Sequence, residues 1–306
     1  MVVNVAVVQD SPVFFDKEKT IQKIEDIASA QADQGSRLVV FPESFIPGYP
    51  RGFSFGATVG NRTDEGRALF LEYHRQSISL GGKEIGRLEA LAKDKGIYLV
   101  VGATEIDPGS DSLFCTMFYI SPLTGLLGYH RKIKPTGSER IIWSEASGDT
   151  LTTFDTRIGK LGGLICWENY MPLARMAMYR KGVELYLAPT ADARPGWVAS
   201  MQHIALEGRC FVLGCNQFFT RNMYPKAYRD LIPENPEIMC AGGSVIVSPM
   251  GKILAGPLWD EAGVLTASLD MDEIRKAKLD FDVAGHYARN DIFELEVNGQ
   301  PEIKKE

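Results

Sequence analysis

Apolar positions along this chain follow two alternating rhythms. Val2 to Val8 is a compact run of β-branched and small apolar residues and predicts a first strand. Asp16 to Gln34 carries Ile21, Ile24, Ile27 and Ala28 at helical spacing, with Gly35 as its stop. Leu38 to Phe41 reads as a second, buried strand and runs into Pro42-Glu43-Ser44. Phe45 to Thr63, rich in Gly, Pro and aromatic residues, has neither rhythm and predicts a long loop, which in a compact domain usually carries function. Helices are predicted over Glu65 to Ser77 and over Glu84 to Lys95, the latter closed by Gly96, and a strand over Ile97 to Thr104.

The rhythm then changes to hairpins. Leu113 to Ile120 and Leu126 to His130 pair around Ser121-Pro-Leu-Thr-Gly. Thr152 to Thr156 returns through Gly159 into an apolar run, Leu161 to Ile165, and Val245 to Val247 turns at Ser248-Pro-Met-Gly into Ile253 and Leu254. Between these lie a helix over Met171 to Lys181, a strand over Val183 to Ala188, a helix over Gly196 to Gly208 and a strand over Cys210 to Gln217. Val264 to Leu269 and Asp272 to Lys278 supply a late strand and a short helix. No linker, repeat or low-complexity segment divides the chain. The prediction is one α/β domain over residues 1–306, with 285–306 as a C-terminal tail. Mixed sheets that are apolar on both faces need helices outside them, so two packed sheets with a helical layer on each side are expected: a four-layer α-β-β-α sandwich.

Composition narrows the function. The 306 residues are 45% hydrophobic and 24% charged, with a formal net charge of -6. That mildly acidic balance argues against a general nucleic-acid or anionic-membrane binder. No stretch approaches the length of a membrane span. Five cysteines without paired spacing point to reduced thiols and a cytoplasmic setting. No phosphate loop, dinucleotide fingerprint, G-x-S-x-G elbow or metal-ligand spacing is present, so neither cofactor nor metal is expected.

Three polar groups stand at predicted strand ends: Glu43, Lys132 and Cys166. Strand ends in an α/β sheet converge on one crevice. Cys166 lies where an apolar strand breaks into a turn ahead of a helix, a place from which a thiol can be presented; a buried structural cysteine fits the same position. A thiol beside a carboxylate and an ammonium has a mechanism available: the carboxylate takes the proton and the ammonium stabilises charge on the substrate. Lys134 competes with Lys132, because period-two alternation puts both on one strand face. A Cys–His pair using His203 or His130 stays open, and Glu168 and Asn169 read as buried polar residues that hold the turn.

Phe41-Pro-Glu-Ser-Phe, Tyr129-His-Arg-Lys-Ile-Lys-Pro-Thr and Leu164-Ile-Cys-Trp-Glu-Asn-Tyr-Met-Pro-Leu together resemble the three motifs of the nitrilase superfamily of carbon–nitrogen hydrolases, and Trp167 resembles its true nitrilase branch. The likeness extends through Ala188-Pro-Thr-Ala-Asp, His203-Ile-Ala-Leu-Glu-Gly, Gly242-Gly-Ser-Val and Gly285-His-Tyr-Ala-Arg. It implies Glu43 as general base, Lys132 rather than Lys134 as cationic stabiliser, Cys166 as nucleophile and Glu139 as a second glutamate orienting Lys132. It implies conversion of a nitrile and two waters to a carboxylic acid and ammonia, with an amidase or carbamoylase as the alternative activity, a nitrile hydratase-like outcome that stops at the amide as a third, and a non-catalytic scaffold as the non-enzymatic one. Tyr49, Trp167, Thr190 and Trp197 are the pocket candidates, joined by Phe53 and Phe55, which fit a core equally well. The resemblance further implies a homodimer or higher homo-oligomer, paired through Pro172 to Lys181. Leu173, Ala174, Met176, Ala177 and Met178 supply more apolar positions there than one buried stripe needs. The chain departs from many nitrilases in having Gly137 where they carry His, and in ending at Glu306 rather than extending further.

Overall fold

The computed structural model describes residues 1–299; the last part of the expected tail, 300–306, lies outside the described residues. Two mixed seven-stranded sheets lie face to face. The first contains β1 (Val2–Gln9), β2 (Leu38–Val40), β3 (Ile78–Ser79), β4 (Tyr98–Ile106), β5 (Leu113–Ser121) and β6 (Gly125–Arg131). The second contains β7 (Thr153–Thr156), β8 (Gly159–Gly163), β9 (Leu185–Thr190), β10 (Phe211–Asn216), β11 (Phe218–Thr220), β12 (Ile238–Val247) and β13 (Ile253–Trp259). The last strand, β14 (Gly263–Asp270), returns to the first sheet and pairs antiparallel along all of β1. The spatial orders are β14-β1-β2-β4-β5-β6, with β3 beside β4, and β11-β12-β10-β9-β8-β7, with β13 beside β12.

Seven helices complete the described chain: α1 (Lys17–Asp33), α2 (Asp64–Arg75), α3 (Lys83–Lys95), α4 (Pro172–Arg180), α5 (Pro195–Gly208), α6 (Lys226–Arg229) and α7 (Asp272–Ala277). Alternation within the strands explains the layering. In β1, Val5 and Val7 face inward to meet Leu185, Leu213 and Ile246 of the second sheet. Ala6 and Val8 face outward onto Ile21 and Ile24 of α1, and the same outer core includes Leu88 of α3. On the other side Tyr186, Ala188 and Val212 pack with Met178 of α4 and Met201 and Ile204 of α5. Three cores therefore separate four layers, as expected from the apolar runs.

The differences have local causes. The strand read over Leu161 to Ile165 occupies Gly159–Gly163 instead, because its pairing with β7 begins at the Gly159 turn. β12 starts at Ile238, well before Val245; its Ala241-Gly-Gly-Ser run has no side-chain pattern to read, and glycine weakens the strand signal. β3, β11 and α6, of two to four residues, are too short to leave a period. On α4, Ala174, Ala177 and Met178 turn into the core while Leu173 is 69% exposed.

Candidate active site

Glu43 is carried just past the end of β2 and is fully buried. Its backbone crosses β4 so closely that a Cβ on Gly102 would lie 2.1 Å from the Pro42 carbonyl oxygen; only glycine leaves that space. From the opposite sheet, the Gln217 side-chain amide donates to the Glu43 carbonyl oxygen.

Lys132 follows β6 directly. Its Nζ donates to Glu43 Oε1 at 2.7 Å and to Glu139 Oε2 at 2.7 Å, and it has no exposed surface. Glu139 sits in a short 3-10 turn (Gly137–Ile141), where the backbone of Thr136 fixes its side chain: Thr136 N–H donates to Oε2 at 2.6 Å. Tyr49 Oη donates to Glu139 Oε1 at 2.7 Å. Lys134, two positions along, pairs on the surface with Glu145.

Cys166 opens a 3-10 turn (Cys166–Tyr170) and has φ 52°, a left-handed conformation rare for a non-glycine residue. Such strain persists only where the surroundings over-determine it. Here Asn169 Nδ2 donates to the carbonyls of Leu164 and Cys166, both at 2.8 Å, and its Oδ1 accepts from Tyr186 at 2.8 Å. Thr190 Oγ1 donates to Cys166 Sγ at 3.1 Å. Behind the turn, β8 and β9 approach closely enough that a Cβ on Gly163 would lie 1.9 Å from the Leu187 carbonyl oxygen.

One ammonium between two carboxylates leaves excess negative charge in a buried space. Burial, opposed by Lys132, raises Glu43 above the ordinary carboxylate range. Burial and the Glu43 charge hold the Cys166 thiol well above an ordinary cysteine, so it rests protonated. For Lys132 burial acts downward, but the carboxylates of Glu43 and Glu139 outweigh it and keep the ammonium charged. Glu43 Oε1 is occupied by Lys132 and, at 3.6 Å, by the thiol of Cys115, whereas among the described residues Oε2 has no hydrogen-bond partner. That free, buried oxygen is the acceptor the cluster leaves open for a proton.

Above the thiol lies a cavity of about 200 Å³ bounded by Tyr49, Arg51, Thr136, Glu139, Trp167, Ala191, Asp192 and Arg194. Trp167 Nε1 donates to Asp192 Oδ2 at 2.8 Å, and the Arg194 guanidinium, itself paired with Asp192, lies 4.7 Å from the Trp167 ring centroid. Among the described residues no group of three or more His, Cys, Asp or Glu side chains is arranged to hold a metal ion.

Residues 4–279 match the carbon-nitrogen hydrolase family. The chain belongs to the carbon–nitrogen hydrolases. Similar proteins include a bifunctional nitrilase/nitrile hydratase of Nicotiana tabacum, 49% identical over 300 residues that cover 96% of this chain and 85% of the relative. An aliphatic nitrilase of Sinorhizobium fredii is 48% identical, with 97% and 96% covered. Nit3 of Saccharomyces cerevisiae, a nitrilase-superfamily structure, superposes with a TM-score of 0.75 at 23% identity, over 94% of this chain and 97% of that one, and shares the four-layer fold.

In this carbon–nitrogen hydrolase the structure brings Glu43, Lys132, Glu139 and Cys166 together, with Tyr49 and Trp167 on the cavity wall and Thr190 against the thiol. Trp197 is placed elsewhere: it is fully buried in the core beneath α5, because the helix turns it inward, and it meets only the back of the site through Tyr170. Phe53 and Phe55 stand one cavity further out, packed on Tyr224 and Tyr73. His203 is exposed beside Glu207, away from Cys166's partners. Arg51, Asp192, Arg194 and Cys115 were not singled out from the sequence. Asp192 closes the Ala188-Pro-Thr-Ala-Asp motif and Arg194 follows two positions later, which is the available signal; Cys115 sits inside an unremarkable apolar strand and leaves none.

Proposed function

We propose that this carbon–nitrogen hydrolase is a nitrilase, in which Cys166 is the nucleophile, Glu43 the general base, Lys132 the cationic stabiliser and Glu139 the group that orients Lys132. The observation that carries the reading is the Lys132 ammonium, gripped by Glu43 and Glu139 beside a protonated thiol at the floor of a small cavity. Glu43 takes the Cys166 proton as sulfur attacks the nitrile carbon, and the proton passes to the nitrile nitrogen to give a thioimidate. Lys132 faces the nitrogen as charge builds there. Water adds with Glu43 as base, ammonia leaves, and the thioester that remains is hydrolysed by a second water. One nitrile and two waters thus give one acid and one ammonia, with no cofactor required. A second outcome, expulsion of Cys166 before ammonia so that the amide is released, is favoured by the bifunctional name of the Nicotiana tabacum relative.

A panel of nitriles and their matching amides tests both. Acid and ammonia in equal amounts from nitriles support the first reading, and amide accumulation supports the second. Hydrolysis of amides with nitriles untouched would instead identify an amidase.

We also infer a cytoplasmic enzyme that works as a homodimer or higher homo-oligomer. Five free, buried cysteines suit a reducing compartment, and no helix among the described residues is long and apolar enough to cross a membrane. An apolar groove of about 400 Å³, lined by Leu173 and Met176 of α4 and by Val283, Tyr287 and Phe293, supports pairing on that face. Leu173→Glu is expected to reduce both the mass measured by light scattering and the activity; an active monomer would separate assembly from the site.

A further inference from the structure

We propose that Glu168 and His130 are positioning residues for the reaction, an imidazolium–carboxylate pair that fixes the separation between Lys132 and Cys166. The proposal rests on the catalytic roles of those two residues under the nitrilase reading.

The bonds of Glu168 reach both catalytic segments. Its Oε1 accepts the Ile133 N–H at 2.7 Å, and Ile133 is the residue after Lys132. Its Oε2 accepts the Ile165 N–H at 2.7 Å, and Ile165 is the residue before Cys166. One carboxylate therefore binds the amides adjacent to the nucleophile and to the stabiliser, which come from different sheets. Glu168 is buried and His130 is 2% exposed, so water does not compete for these bonds.

His130 supplies the matching charge. Its Nε2 lies 3.0 Å from Glu168 Oε2, and its Nδ1 lies nearest the Thr150 carbonyl oxygen, at 3.2 Å, with the Thr150 hydroxyl, which accepts the Arg131 N–H, further off at 3.4 Å. The nearer partner of Nδ1, a carbonyl, only accepts, so Nδ1 donates; both Glu168 oxygens already accept backbone N–H groups, so Nε2 donates to them as well. A ring that donates at both nitrogens is an imidazolium. Burial presses its pKa down, but Glu168, Thr150 and Asp149 together outweigh burial and raise it. His130 belongs to β6 and Glu168 to the Cys166 turn, so the pair spans the two halves of the site. It leaves Glu43 as the group beside the thiol, which answers the open question of a Cys–His pair: His130 is occupied with Glu168.

The test is steady-state kinetics on folded Glu168→Gln and His130→Gln, with activity expressed per Cys166 thiol titrated by iodoacetamide. A carboxamide has only one acceptor oxygen, so Glu168→Gln cannot serve both amides. We expect kcat per titrated thiol to fall about 100-fold with KM within about threefold, the scale of a displacement near 1 Å in a catalytic geometry. His130→Gln keeps a donor toward Glu168 but loses the charge, and kcat per titrated thiol should fall about tenfold, the smaller loss of a charge-assisted bond. A merely structural role would lower the number of titratable sites and leave kcat per site unchanged. If Glu168→Gln does not fold, His130→Gln decides alone. Full kcat per titrated thiol in the folded variants overturns the proposal while leaving the nucleophile in place. Turnover by a folded Cys166→Ala protein removes the site assignment itself, and the pair's role with it.

Discussion

Residues 130–134 and residues 165–169 form opposite walls of one site and are held by opposite means. The first segment is positioned by charge. His130, Arg131, Lys132 and Lys134 each find a different acid: Glu168, Glu105 with Asp107, Glu43 with Glu139, and Glu145. Those partners come from other parts of the fold, and the backbone needs no unusual conformation. The second segment is positioned by its own backbone. Cys166 is left-handed, and Asn169 binds the carbonyls on either side of Ile165 from within the same turn. A preorganised cation tolerates regular structure, whereas a thiol aimed into a cavity needs a bend.

The contrast breaks hardest at its two chemical ends. Cys166→Ala should fold and show no turnover above the uncatalysed background, read as acid release from a responsive nitrile, because no other described thiol is presented to the cavity. Lys132→Ala should cost about 10³-fold in kcat/KM on the charge-held wall, the scale of losing a preorganised charge in a closed site. It should also destabilise by about 3–5 kcal/mol, since Glu43 and Glu139 lose their shared partner in a buried space. Lys134→Ala removes only an exposed pair with Glu145 and should change kcat/KM less than about twofold. The reverse order of the two lysines would mean the ammonium has been misplaced.

On the backbone-held wall the sharper probe is Asn169→Ala. It strands the carbonyls of Leu164 and Cys166 and the Tyr186 hydroxyl, and should lower stability by about 2 kcal/mol in urea unfolding. Unchanged stability would show that the left-handed turn is held elsewhere. The smallest effect is a pH dependence on the charged wall. The folded pKa of His130 is raised above its reference value of 6.5. Its stabilisation is therefore complete below the unfolded pKa and is lost as pH rises through the folded one. The gap in urea midpoint between the parent and His130→Gln should be widest near about pH 6 and narrow as the solution becomes alkaline. A gap that widens upward would mean His130 is neutral in the native protein.

Much of this was legible in the residues, for reasons that differ by element. Long elements such as α1 and β4 showed their periods plainly, and the two-faced apolar runs foretold helices outside both sheets. The two lysines were not separable by period, because β6 stops at Arg131 and alternation no longer applies beyond it. Trp197 could not be told from a pocket residue, since an aromatic in a helix gives the same pattern on either face. The Cys115 contact with Glu43 and the Glu168 bridge each join residues 35 or more positions apart, and spacing carries no trace of them.

Gly102 and Gly163 bear on how this protein tolerates random change. Each sits where another strand or loop presses a carbonyl against its α-carbon, one beneath Glu43 and the other beneath the Cys166 turn. In a saturation library, codons at these two places would be depleted before any nitrile is offered, through loss of folded yield rather than of rate. An activity screen alone would then score substitutions there as loss of catalysis, and only a parallel measure of expressed, folded protein would reveal that the loss is of the fold.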